Sequence, residues 1–165
     1  PLPKKRKAPR RYKTPRCDVR GCRKPQEVGW AEIEHGAIAN ATGALVYGFG
    51  MCRSHAKAEA DRRFSLFIRE RDSACMIGTT SACVGPLQCT HRLSRRFLAV
   101  RWDPENAEAG CAGHHSFWTR NPDRWAAYLD AKLPRHVLEG LRARAFRGDP
   151  MDLADVLARY PAVAK

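Results

Sequence analysis

Six of the seven cysteines in this chain stand in pairs or beside a histidine, grouped as zinc ligands are and as disulfide cysteines need not be. Cys17 and Cys22 form one group and Cys52-Arg53-Ser54-His55 a second, while Cys75 with Cys83 and Cys111-Ala112-Gly113-His114 supply two more. A chain of 165 residues has room for one ordinary domain or two very small ones, and very small domains seldom bury enough apolar surface to fold unaided. Bound metal is therefore the expected staple. No apolar run is long enough for a signal peptide or a membrane span, which points to a reducing cytoplasm, bacterial or that of a phage-infected host, where thiols remain available to metal.

Charge identifies the partner. The net charge is +13, and residues 1–16 alone carry eight Lys or Arg with no acid, leaving 22 bases against 17 acids elsewhere. Such an arm, with Lys4, Lys5, Arg6 and Lys7 at its centre, releases condensed counterions when it meets a polyanion, so nucleic acid is the expected ligand. The run Pro3 to Lys7 also has the form of a nuclear-import signal, but short basic runs are common in DNA-binding arms.

Five segments follow from the pattern. Residues 1–16 are a basic arm, and 17–56 form a small module whose apolar alternation around Val28, Trp30 and Ile33, turn-rich His35 to Gly43, and second apolar run Leu45 to Met51 read as a β-hairpin. Cys17, Cys22, Cys52 and His55 would meet at its ends as zinc site one. Ala56 to Asp72 contains no Gly or Pro and sets Ala60, Phe64, Phe67 and Ile68 at helical spacing, ringed by Arg62, Arg63, Arg69 and Arg71; residues 57–72 are thus a linking helix with a largely solvated basic face. Residues 73–122 hold the chemistry. Residues 123–165 are a helical tail: Asn121-Pro122 starts a helix carrying Trp125, Tyr128 and Leu129, and Pro134 and Asp149-Pro150 delimit two more, with Val137, Leu138 and Leu141 on one and Met151, Leu153, Val156 and Leu157 on the other.

Within 73–122, Cys111 and His114 lie three apart at the mouth of a short helix and can form half of a tetrahedral site, with Cys75 and Cys83 as the other half. This is zinc site two, for which Cys89 is close enough in sequence to compete. His115, one residue past a ligand, must point about a quarter-turn away and is free to hold a different metal.

These residues resemble the HNH family of His-metal-finger nucleases, in which a β-hairpin ends in His, an Asn follows, and a helix presents the last His: here His91, Asn106 and His115. The ending from Asn106 through Cys111 and His114 to His115 is similar to the family's "Asn…Cys-x-x-Cys-His", with His114 in place of the second Cys. Cys89 to Arg96, together with Arg101 to Ala107, looks like the lambdoid-phage NinG (Rap) recombination endonucleases. The resemblance covers about residues 73–130. It implies a ββα-metal module in which His91 is the general base for an attacking water, His115 holds Mg²⁺ or Mn²⁺, and Arg95 and Arg96 contact the phosphate backbone. Asn106 would either coordinate the ion or pin the loop that aims His91, with pinning preferred. Thr90 stands where many relatives place Asp or His as a second metal ligand.

The expected fold is therefore small α+β: a zinc-stabilised β-hairpin module, a ββα-metal (HNH) module and a helical C-terminal tail. The expected activity is metal-dependent hydrolysis of DNA phosphodiester bonds, on branched recombination intermediates or by nicking duplex, with a homodimer as one way to read branched shape. The alternative from a different class is a non-catalytic double-zinc DNA-binding protein, such as a phage regulator or packaging accessory.

Overall fold

The computed structural model describes residues 20–24, 51 and 53–161. The chain divides into two compact units after Arg53, and almost all described residues belong to the second, Ser54–Lys165. The basic arm with Lys4, Lys5, Arg6 and Lys7, the hairpin expected around Val28, Trp30 and Ile33, and the ligands Cys17 and Cys52 all lie outside the described residues. Of zinc site one, only Cys22 and His55 fall inside them.

The described fold is α+β. In order it comprises helix α1 (Arg53–Asp72), strand β1 (Leu87–His91), a 3₁₀ turn (Pro104–Asn106), strand β2 (Ala107–Cys111), and helices α2 (Ala112–Arg120), α3 (Pro122–Lys132), α4 (Arg135–Arg147) and α5 (Leu153–Arg159). None of these helices is long and apolar enough to cross a membrane.

α1 begins at Arg53, four residues before the expected start at 57, so His55 lies in its first turn. Ala56, Ala60, Phe64 and Ile68 recur every fourth residue and are all buried, which is the stripe that a 3.6-residue repeat turns to one side. Two members of the pattern differ from expectation. Phe67 stays 37% exposed, with its ring 5.0 Å from that of Tyr160. Arg63, expected among the solvated arginines, is only 5% exposed. Its guanidinium pairs with Glu59 one turn back and donates to the carbonyls of Leu157 and Tyr160, where the end of α5 leaves acceptors without helical partners. Arg71 is likewise a strut, donating to the carbonyls of Pro104 and Ala107.

β1 and β2 pair antiparallel, from Leu87 opposite Cys111 to His91 opposite Ala107. Leu87, Cys89 and His91 therefore share one face, and Gln88 and Thr90 the other. The far edge of β2 is covered by the segment after α1: Asp72 Oδ2 accepts the Ala109 N–H at 2.7 Å, and the Ala109 carbonyl accepts the Met76 N–H at 2.8 Å. This closes an edge that would otherwise invite pairing with another chain. Gly110 is required by packing, since a Cβ there would overlap the side chain of Ile77.

The three C-terminal helices wrap the long connection, 92–106, between the strands. Asn121 occupies the cap position of α3 but makes no side-chain cap bond; it donates instead to the Phe117 carbonyl, closing α2 rather than opening α3. Trp125 donates to the Arg92 carbonyl at 3.1 Å and packs with Trp118 and Tyr128. Leu141 and Ala145 of α4 form a core with Val100, against which Leu93 and Phe97 also pack. The Tyr160 hydroxyl, just past α5, donates to the Trp102 carbonyl at 2.8 Å.

Candidate metal centre and histidine site

Cys75, Cys83, Cys111 and His114 converge, with their four ligand atoms within 4.8 Å of one another. The ring nitrogen Nδ1 of His114 lies 3.5, 3.7 and 3.1 Å from the sulfurs of Cys75, Cys83 and Cys111. Zn–S and Zn–N bond lengths place neighbouring ligand atoms of a tetrahedral site about 3.5 Å apart, so this cluster could hold a zinc ion. The far nitrogen of the His114 ring is met by the hydroxyls of Thr79 and Ser81 at 3.1 Å each, the kind of outer partner that fixes a ligating imidazole. Cys111 caps α2, and the N–H of His114 holds its thiol well below the ordinary range, favouring the thiolate that metals bind. Neighbouring N–H groups of α2 are taken up by the turn that carries Cys83: Ala112 donates to Pro86 and Gly113 to Val84. Cys89 does not join the cluster; burial pushes its thiol up to about 12.

At the opposite end of the strand pair from Cys111, His91 Nε2 lies 2.9 Å from the carbonyl of Arg101. A carbonyl can only accept, so Nε2 carries the ring proton and Nδ1 keeps its lone pair. Burial, together with the charges of Arg95 and Arg101, pulls the ring's pKa down to about 4 against the opposing effects of the bond to the Arg101 carbonyl and, more weakly, of Asp61. His91 is thus a neutral imidazole at pH 7, with the ring of Phe64 5.8 Å away.

Asn106 is fully buried, and both ends of its carboxamide are hydrogen-bonded. The oxygen accepts the Leu93 N–H at 2.8 Å, and the nitrogen donates to the carbonyls of Val100 at 2.9 Å and Leu93 at 3.2 Å. It ties the two ends of the 93–100 segment together. Asn106→Ala, which would orphan those buried groups, should lower stability by about 2–4 kcal/mol. Chemical denaturation checks this, and a loss under about 0.5 kcal/mol would mean that the loop is held by other contacts.

His115 Nδ1 meets Gln88 Oε1, an acceptor, which leaves Nε2 as its available nitrogen. Burial, then Arg95, lowers its pKa below the usual histidine value. The charge of Arg95 therefore reaches both His91 and His115, and among the described residues Arg95 forms no salt bridge. Arg96 is exposed, with its guanidinium 4.8 Å from the centre of the Phe97 ring. Both arginines sit on the connection that Asn106 and the C-terminal helices hold.

Sequence reasoning assigned no role to Asp61, Glu108 or Tyr160. Asp61 receives both Arg101 and Trp102, and Glu108, 3% exposed, pairs with Lys132 at 2.8 Å and Arg92 at 3.3 Å. An acid in an Arg-rich helix gives no sign of a partner 40 residues away, so no local pattern could have found these contacts. Compared with known proteins, the chain matches no family profile, no curated protein and no solved structure.

Proposed function

We propose that the chain is a metal-dependent endonuclease of the HNH type that hydrolyses DNA phosphodiester bonds. The observation that carries this reading is that His91 and His115 each have one ring nitrogen committed to an oxygen acceptor and one available, with Arg95 among the charges that lower the pKa of both. Hydrolysis needs a base for water, a Lewis acid and cations around the phosphate. His91 Nδ1 accepts the proton of the attacking water, its ring held by the Arg101 carbonyl. Arg95 binds a non-bridging phosphate oxygen, with Arg96 on the adjoining backbone. His115 Nε2 is the protein nitrogen open to Mg²⁺ or Mn²⁺, which when bound polarises the phosphoryl oxygen and supports the leaving oxygen. One imidazole with no carboxylate suits a largely hydrated ion. Thr90 adds neither a carboxylate nor an imidazole there, and its side chain is buried. The zinc cluster joins α2, which carries His115, to the turn before β1.

The pH dependence follows from the position of His91. A base must be unprotonated, and with the folded pKa near 4 that form persists across the neutral range. Cleavage should therefore show no His91 break between pH 5 and 8, and should fall as pH drops through about 4. A break near 6.5, the ordinary imidazole value, in single-turnover rates would show a solvated base and contradict the buried geometry.

The second reading, a non-catalytic double-zinc DNA-binding protein, is favoured by the +13 charge, which alone suffices for affinity. Cleavage of supercoiled plasmid and a synthetic four-way junction separates the two. Zinc-loaded protein that binds both but cuts neither with any divalent ion would leave the binding reading.

A further inference from the structure

The carbonyl that fixes the His91 ring is itself held from another element. Arg101 donates Nε to Asp61 Oδ1 at 2.8 Å and Nη2 to Asp61 Oδ2 at 2.6 Å, a fork onto one carboxylate. Trp102 Nε1 adds a third bond to Asp61 Oδ1 at 2.9 Å. Burial disfavours the Asp61 anion, but Arg101 and Trp102 outweigh it and hold the carboxyl below its usual range. The remaining guanidinium nitrogen, Nη1, donates to the Arg95 carbonyl at 2.7 Å, so the same fork anchors the backbone of Arg95. The Tyr160 hydroxyl holds the carbonyl on the far side of Trp102.

We propose that Asp61 is a positioning residue for the histidine site: by gripping the side chains of Arg101 and Trp102 it places the Arg101 carbonyl, and that carbonyl selects the Nε2–H tautomer of His91 and aims Nδ1 outward. One carboxylate thereby sets both the base and the arginine that would face the phosphate. Its kinetic consequence rests on the endonuclease reading; its effect on the His91 ring does not. Asp61 lies on α1, 30 residues before His91 in sequence, so the linking helix becomes part of the site.

The test uses the full zinc-loaded chain and reads the His91 tautomer by long-range ¹H–¹⁵N spectroscopy, in wild type and in Asp61→Asn. The wild-type ring should be almost wholly Nε2–H. In Asp61→Asn, which keeps an acceptor for Trp102 but loses the charge and half of the fork, the ring should become a mixture of tautomers. Cleavage should fall roughly 10–100-fold, the usual effect of losing an outer partner. Arg101→Gln cuts the same fork from the other side, must give the same mixed ring, and serves where Asp61→Asn does not fold. If both variants keep the wild-type ring signature while stability drops, Asp61 is only a structural anchor and the proposal is overturned. A shifted ring in a protein that never cleaves DNA would uphold the positioning role and dismiss the nuclease reading.

Discussion

His91→Ala, folded and zinc-loaded, should leave supercoiled plasmid and four-way junctions uncut in Mg²⁺ or Mn²⁺, with the cleavage rate down roughly 10²–10⁴-fold. The size follows from what is lost. Water at neutral pH is a poor nucleophile, and among the described side chains His91 has the Nδ1 lone pair best suited to accept its proton. The carboxylates of Asp61 and Glu108 are weaker bases held in ion pairs, Asp61 with Arg101 and Glu108, buried, with Lys132 and Arg92. The substitution should leave zinc stoichiometry unchanged, because His91 lies outside the Cys75, Cys83, Cys111 and His114 cluster. It removes a ring beside Phe64 and one bond to a carbonyl, so the variant should be less stable but native. The informative comparison is a gel of both proteins on both substrates, with zinc measured on the same samples. Cleavage within about threefold of wild type would remove His91 from the chemistry, and a preference of wild type for the junction would favour branched DNA over simple nicking.

The parts of this site that were legible in the sequence are those set by spacing along one element. Cys111 and His114 are three apart at a helix mouth, and the structure brings them together with Cys75 and Cys83. Just past Cys83, the carbonyls of Val84 and Pro86 take up N–H groups of α2, and Cys89 stays outside the cluster. The α1 stripe was legible for the same reason, as Ala60, Phe64 and Ile68 show, and it misplaced Phe67 because the periodicity marks a face without its edges. What escaped was long-range polar pairing. Arg63 reads as surface until the end of α5 is known to present carbonyls to it. Asp61 reads as a solvated helix acid until Arg101 and Trp102 arrive from another element. The C-terminal helices, read from the sequence only as a helical tail, hold the connection that carries Arg95 and Arg96, through Trp125, Leu141 and Tyr160.

The second large effect concerns metal rather than chemistry. Stripping zinc with a strong chelator, or making Cys111→Ser, should abolish the cooperative melt of the Ser54–Lys165 unit, whereas withholding Mg²⁺ should silence cleavage with no change in circular dichroism. Cys75 and Cys83 lie in segments without regular structure, and their neighbours Ala74, Val84 and Gly85 are exposed. Little apolar burial would hold residues 78–86 to α2 once the ligands separate. The thiolates would then repel one another around an empty centre, and the outer hydroxyls of Thr79 and Ser81 would lose the ring they orient. A structural zinc supplies roughly 10–16 kcal/mol of apparent binding energy in small modules, as much as an entire domain's stability, so removing it is not a perturbation but a loss of the fold. Since Arg95 and His91 stand on the same unit, affinity for DNA should fall together with activity, leaving only the salt-sensitive binding of the basic arm. Zinc analysis beside thermal melts reads this directly: metal-free protein that keeps its melting transition would show the cluster to be dispensable, and the apolar core around Val100, Leu141, Trp102 and Phe64 to be sufficient on its own.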